Sequence, residues 1–357
     1  MFLHQRRTFS IRVRRVIKGE IIMENIRFGI VGCGVIARFH ARAIENCPGA
    51  VLTAACSKSY ESAAKFCAEE GIEAFESYDA LLKSEDIDAV AICTPSGEHY
   101  AQIKAALEAG KHVLVEKPMC IRLSEAEEVI ALAKEKGLLL CAVAQLRFSD
   151  SIREMKRVIS DGHLGKIYSA ALTMRYYRSQ AYYDQAGWRG TWDMDGGGVL
   201  MNQGIHGVDM LCYLLGEVAE IKGFADTMGR NIEVEDTAAA ALRFRSGAMA
   251  VIDASTCCEP GFPLRLVISG EKGTIALEGN SISTWTIDEP CRIETGKTEG
   301  KTSANDPKAI DFMNHARLYA DFVRVLCEGG ALVCSAEQGK LPLEIILGIY
   351  EDGMARS

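Results

Sequence analysis

The sequence predicts a two-domain protein: a doubly wound α/β domain on a parallel sheet, then an α+β domain on an open-faced, mainly antiparallel sheet. Three observations carry this. From Asn25 to about residue 145, apolar strands alternate with helices, the pattern of a parallel sheet covered on both faces. Beyond residue 150 the apolar period shortens to two, with glycine turns between strands, which points to antiparallel pairing. The 357 residues fit two domains at about 150 residues each.

Each element has a local reason. Ile26 to Val31 is an apolar strand and Val35 to Glu45 a helix; Val51 to Cys56 and Tyr60 to Glu70 repeat the pair. Ile87 to Thr94 is a strand, followed by a helix from Glu98 to Ala109 that Gly110 stops. His112 to Val115 is a strand. Ser124 to Lys136 is a helix, with Ser124 and Glu127 as a capping box and Gly137 as the stop. Leu138 to Val143 closes the first domain. A helix over Ser151 to Ser160 opens the second. Strands follow at Lys166–Tyr177, Ile221–Met228, Asp236–Phe244, Ala248–Ser255, Arg265–Ser269 and Thr274–Glu278, with turns at Gly247, Gly270 and Gly273. A polar loop spans 300–308, and helices over Ala309–Cys327 and Leu341–Gly353 end the chain. The division is 1–23 extension, 24–145 first domain and 146–357 second domain.

Composition excludes several classes. Lysine plus arginine number 40 against 48 acids, a net charge of −8, the wrong sign for a nucleic-acid footprint. Apolar runs such as Leu138 to Ala144 fall far short of the roughly 20 residues that span a bilayer. The thirteen cysteines form no CxxC pair, so neither a disulfide framework nor a thiolate metal site is expected. Reduced thiols point to the cytoplasm. Residues 1–23 carry six basic residues and one acid. They read as an upstream start or a disordered extension ahead of Met23, with an organelle leader as the competing reading.

The first chemical signal is Gly32-Cys33-Gly34-Val35-Ile36-Ala37, a G-x-G-x-x-A turn between the first strand and first helix. Gly32 permits the tight turn, Gly34 lets a pyrophosphate approach, and Ala37 keeps helix and strand close. The N–H groups of Val35 and Ile36 open the helix toward the phosphates. This is the Rossmann dinucleotide fingerprint in its proper context. The second strand ends in Ser57 and Lys58 rather than a carboxylate. Lys58 leans toward the 2′-phosphate of NADP, while Ser57 suits an ordinary ribose, so both NAD and NADP fit.

Three further segments, Ala91-Ile92-Cys93-Thr94-Pro95-Ser96, Glu116-Lys117-Pro118 and Gly196 to Asp209, resemble the Gfo/Idh/MocA family of glucose-fructose oxidoreductase and inositol dehydrogenase relatives. The resemblance runs from Asn25 to the C-terminus. It implies a nicotinamide-dependent enzyme on sugars or polyols and makes Lys117 the active-site lysine. It places Thr94, Pro95, His99 and Glu116 against the cofactor, and no metal. On a helix over Val199–Leu215, Asn202, His206, Asp209 and Tyr213 are spaced four, three and four residues apart and share one face. His206 is the proton acceptor in oxidation and donor in reduction. Many family members carry aspartate where this chain has Asn202, which weakens an inositol-dehydrogenase reading and leaves Asn202 as a substrate contact. Gln145 is expected against the cofactor and Arg147 against the substrate. The aromatic stretch from Tyr176 to Trp192 offers Tyr177 and Trp188 to a sugar face, with Arg178 or Arg189 for hydroxyls or a charged substituent; ordinary packing is the competing reading.

These residues imply an NAD(P)-dependent oxidoreductase interconverting a secondary ring alcohol and ketone on a sugar, a glycoside (its C3 hydroxyl favoured) or a cyclitol. The alternatives are an NAD-dependent glycosidase working by transient oxidation and elimination, myo-inositol 2-dehydrogenase, and a dinucleotide sensor without turnover. The open sheet face predicts a homo-oligomer.

Overall fold

The computed structural model describes residues 25–296 and 312–354, with the backbone of a short ribbon before them. In that ribbon β1 (Arg14–Ile17) pairs antiparallel with β2 (Glu20–Met23). The rest of the basic extension and the polar loop at 300–308 lie outside the described residues.

The first domain runs β3 (Ile26–Val31), α1 (Val35–Glu45), β4 (Ala50–Cys56), α2 (Tyr60–Glu70), β5 (Glu73–Phe75), α3 (Tyr78–Lys83), β6 (Ala89–Ile92), α4 (Ser96–Glu108), β7 (His112–Val115), α5 (Leu123–Lys136) and β8 (Leu140–Ala142). Its six strands are all parallel, in the order β5-β4-β3-β6-β7-β8. β3 lies beside both β4 and β6, so the order reverses there and a crevice opens above the carboxyl ends of β3 and β6. β5 and α3 are additions to the elements expected from the sequence. The start of α5 also differs from the capping box expected at Ser124: the helix begins at Leu123, behind Arg122, with no side-chain cap. Ser124 is already inside the first turn and cannot cap it. Gly137 does end α5, in the left-handed conformation (φ 64°).

A tight 3-10 turn at Gln145–Phe148 leads into the second domain: α6 (Asp150–Ser160), β9 (Ile167–Arg175), α7 (Gln180–Asp184), a wide π turn at Val199–Gly204, then α8 (Ile205–Leu215). Strands β10 (Val218–Asp226), β11 (Thr237–Phe244), β12 (Met249–Ser255), β13 (Arg265–Gly270), β14 (Gly273–Glu278) and β15 (Ser281–Trp285) follow. The seven-stranded sheet is ordered β10-β11-β12-β9-β13-β14-β15 and antiparallel except for the β12–β9 pair. Burial alternates along β11: Ala238, Ala240, Leu242 and Phe244 are buried and their neighbours face out.

The C-terminal helices are α9 (Phe312–Glu328) and α10 (Ala336–Met354), the latter continuing through Pro342. α9 returns to the first domain and packs on β3: the Phe28 ring meets Tyr319 edge-on at 5.1 Å and Phe322 at 5.8 Å. Among the described residues no helix is long and apolar enough to cross a membrane.

Candidate active site

One cleft of about 1770 Å³ runs from the glycine loop of the first domain to the start of α8 in the second. At one end lie Gly32, Gly34, Val35 and Ile36. Gly32 has φ 92°, and a Cβ there would meet the Cys93 carbonyl at 3.0 Å. Gly34 heads α1 with no side-chain cap, and a Cβ on it would meet nothing within 4 Å. The first-turn N–H groups of α1 therefore open onto the cleft, which suits a pyrophosphate. Thr94, Pro95, Ser57, Lys58, Glu116 and Gln145 line the same cleft. Gln145 is buried, and its Oε1 has no partner, as a ligand-facing amide would. The residues present fit a dinucleotide.

Glu76, which the sequence reading missed, also lines this cleft. Register brings it there: Cys56 of β4 pairs with Phe75 of β5, so Ser57 and Glu76 leave adjacent strand ends side by side. The carboxylate absent from the end of β4 is supplied by the next strand.

His99 does not reach the cleft. It is fully buried, with its ring nitrogens facing the carbonyls of Pro118 at 2.7 Å and Thr94 at 2.9 Å. It ties the loop after β6 to the Lys117–Pro118 step instead of touching a cofactor. Arg147 is likewise corrected. Its guanidinium is buried against Asp209, with Nε donating to Oδ2 at 2.9 Å, and is closed off by the Val333 carbonyl. The 3-10 turn points Gln145 into the cleft and Arg147 away from it. Tyr177 is the third correction. Extended backbone after β9 alternates, so Tyr176 and Arg178 line the cleft while Tyr177 turns out beneath the Arg230 guanidinium. Trp188 lines the cleft, together with Tyr182 and Arg189.

At the centre, Lys117 leaves the carboxyl end of β7 and donates from Nζ to the Asn202 carbonyl at 2.8 Å. His206 borders the same cleft one turn further on. The shared face expected over Val199–Leu215 therefore holds Asn202 and His206, whereas Asp209 is spent on Arg147 and Tyr213 stacks beneath that guanidinium. Position 202 donates from its Nδ2 to Asp195 Oδ1 at 2.7 Å. Asp195 is buried, lines the cleft and accepts the Gly190 N–H at 3.0 Å. No spacing rule in the sequence marks it.

The glycine run before α8 is a seat. A Cβ on Gly196 would strike Ile121, one on Gly197 the Tyr350 hydroxyl, and one on Gly198 the Glu235 carbonyl. The Glu235 carboxylate accepts the N–H groups of Gly198 (2.7 Å) and Leu200 (2.9 Å) and the Tyr350 hydroxyl (2.8 Å). Burial pushes this carboxyl up to about 7, against those three donors. Behind Lys117, Glu116 is held by the first domain. Since its carboxylate only accepts, His40 must donate from Nε2 (3.1 Å), and Nδ1 must accept the Tyr319 hydroxyl (2.9 Å). His315 Nε2 lies 3.8 Å from the same oxygen. Burial works against the charge on Glu116, but the imidazoles outweigh it and hold the carboxyl well below its usual range.

Burial pushes the Lys117 ammonium below its ordinary value; Glu116 and Asp195 oppose this and Arg178 adds to it. Burial also pushes the His206 imidazole down to about 3, helped by the Lys117 charge. His206 is therefore neutral in the folded protein across the working range. An ordinary imidazole changes charge near 6.5, so the unfolded chain takes up a proton here first. Stability from this group is complete above about pH 6.5 and is lost as pH falls toward 3. The His206 ring resonances are expected not to titrate between about pH 5 and 8, and His206→Asn to soften the fall in melting temperature on the acid side. A ring titrating near 6.5 by NMR would contradict this.

The model of the oxidoreductase family, NAD-binding Rossmann fold, matches residues 26–144. That of the GFO/IDH/MocA C-terminal domain matches 152–276. Uncharacterized oxidoreductase YrbE of Bacillus subtilis (strain 168) is 32% identical over 270 residues, 72% of this chain and 74% of that protein. The dTDP-3,4-didehydro-2,6-dideoxy-alpha-D-glucose 3-reductase of Actinomadura kijaniata is 33% identical over 226 residues, 63% of this chain and 67% of that protein. The crystal structure of the WlbA dehydrogenase from Bordetella pertussis, in complex with NADH and UDP-GlcNAcA, matches with a TM-score of 0.85 at 32% identity, over 94% of this chain and 97% of that one. Matched by both domain models, the chain belongs to the Gfo/Idh/MocA family, as an NAD-binding oxidoreductase of CH–OH groups.

Proposed function

We propose that the protein interconverts a secondary ring alcohol and a ketone on a sugar or glycoside, with the C3 hydroxyl as the favoured position and oxidation as the favoured direction. The observation that carries this is the meeting, in one cleft, of Lys117 and His206 with a wall of Tyr176, Tyr182, Trp188 and arginines. Pyranose C–H faces stack on such rings. Asn202 adds an amide that orients a hydroxyl without a fixed charge, which speaks against a cyclitol-type site built on aspartate. Among the relatives, the Actinomadura enzyme is named for carbon 3 and the Bordetella enzyme is seen with a nucleotide-linked sugar, both in accord with a pyranose ring.

Gly32, Gly34, Ser57, Thr94 and Gln145 would hold the dinucleotide, and the chemistry it supplies when bound is reversible hydride exchange. The neutral His206 ring has a lone pair to accept the hydroxyl proton. The Lys117 ammonium, anchored on the Asn202 carbonyl, has further N–H donors for the oxygen as negative charge develops there. In reduction the same groups return the proton. We take NAD as the preferred dinucleotide, because Glu76 and Ser57 end neighbouring strands where a 2′-phosphate would bring added negative charge.

His206→Ala is expected to lower turnover by about 10²–10⁴-fold while dinucleotide binding, read by fluorescence titration, survives. An unchanged rate would remove His206 from the reaction. A panel of sugars and glycosides, run with each dinucleotide at 340 nm, should show net NADH formation with NAD favoured over NADP. Substrate cleavage without net NADH would mark the transient-oxidation glycosidase instead.

We further propose that a second copy covers the outer face of the seven-stranded sheet. Tyr168, Phe224, Met249 and Val251 are exposed there, among opposite charges such as Arg175–Asp253 and Arg243–Glu220. Val251→Asp should lower the mass found by light scattering; a wild-type protein of monomer mass would refute the arrangement.

A further inference from the structure

We propose that Asp195 is a positioning residue for Lys117, acting through Asn202 as a single unit that sets carboxylate charge against the ammonium. The inference rests on Lys117 being the active-site lysine.

The geometry is a short chain. Gly190 N–H and Asn202 Nδ2 donate to the two oxygens of Asp195, at 3.0 and 2.7 Å, and the Asn202 carbonyl accepts from Lys117 Nζ at 2.8 Å. One residue thus holds the carboxylate with its side chain and the ammonium with its backbone. Asp195 is 2% exposed, so water screens it little and its field on a neighbouring cation is strong. The carboxylate has no direct cationic partner among the described residues; its nearest charge effects come from Lys117 and Arg189. The backbone around it is committed to the same task. Asp195 immediately precedes the glycine run that Glu235, Tyr350 and Ile121 clamp, and the π turn it leads into carries Asn202 and passes directly into the first turn of α8, which carries His206. A side chain fixed at both oxygens, inside a braced segment, is placed and not incidental.

The ammonium is ringed from every packed element. Glu116 faces it from its own strand end, Asp195 from the loop before the π turn, His206 from α8, Arg178 from the segment after β9, and His99 from α4. Burial, Arg178 and any positive charge on His206 act to remove its proton, while Glu116 and Asp195 act to retain it. Glu116 already has donors of its own in His40 and the Lys117 N–H. Asp195 lines the cleft from the second domain, beside Asn202, where the substrate oxygen would sit. It keeps Lys117 charged until a substrate arrives, and Asn202 keeps it from pairing directly with Lys117 and blocking that place.

The test needs neither substrate nor turnover, so it is separable from the proposed reaction. Protein carrying ¹³Cε-lysine is titrated by NMR, with Lys117→Gln to assign the resonance. In Asp195→Asn the midpoint of Lys117 should fall by about one pH unit or more. In the double variant Asp195→Asn/Asn202→Asp, which exchanges amide and carboxylate across the same hydrogen bond, it should return toward the wild-type value. An unmoved midpoint in Asp195→Asn, or a double variant that leaves it low, overturns the proposal. Should Asp195→Asn fail to fold by circular dichroism, Asn202→Ala decides: it removes the amide but not the carboxylate. A raised midpoint, as the freed carboxylate closes on the ammonium, supports the unit, and an unchanged or lowered one overturns it.

Discussion

The bond from Lys117 Nζ to the Asn202 carbonyl joins the two domains at the point where chemistry is possible. Its partners are 85 residues apart in the chain, one at the end of a parallel strand and the other in a π turn. Neither would hold a useful position alone. A lysine at a strand end reaches into water unless something fixes it, and an isolated wide turn tightens into ordinary helix. Each constrains the other, and the cleft is the space left between them.

The cost of that arrangement is carried by backbone, not by side-chain packing. Gly196, Gly197 and Gly198 run so close to Ile121, Tyr350 and Glu235 that no side chain fits, which brings the start of α8 against the first domain. Glu235 then satisfies two N–H groups that the turn leaves open. A buried acid serving a helix start is expensive, because a charged carboxylate loses its water. Three donors offset part of that loss, and burial still raises its proton affinity. The fold accepts a strained electrostatic position here to fix where Asn202 and His206 point.

What the sequence disclosed follows from what is local. The strand–turn–helix at Gly32 and the histidine on a helix behind three glycines are set by neighbours in the chain, the lysine closing a strand is singled out by the family resemblance, and all three sit in the cleft. The errors arise where a side chain's direction is decided across the fold. Arg147 and Gln145 are two residues apart, and only the 3-10 turn tells which faces the cleft. Tyr177 was read from an aromatic cluster, but strand alternation past β9 gives the cleft to Tyr176 and Arg178. His99 has the right helical position and the wrong partners. Glu76 needed the β4–β5 register, and Asp195 and Glu235 needed the glycine seat. None of these has a spacing that composition or periodicity could signal.

Lys117 shows why burial alone does not settle the chemistry. Two unit charges about 4 Å apart attract by about 4 kcal/mol at an effective dielectric near 20, comparable with the penalty for taking one ammonium out of water. With Glu116 behind it and Asp195 beside it, and Arg178 working the other way, the balance ends below the ordinary lysine value. An amine held there binds its proton less firmly than a surface lysine. In the proposed reaction it would stabilise an oxyanion as ammonium, while the depressed imidazole of His206 keeps its lone pair free to accept the hydroxyl proton. The two groups share one field, in which each positive charge raises the cost of the other. That coupling, set by the same short contacts that close the domains together, would favour passing the proton on as the hydride leaves in the proposed reaction.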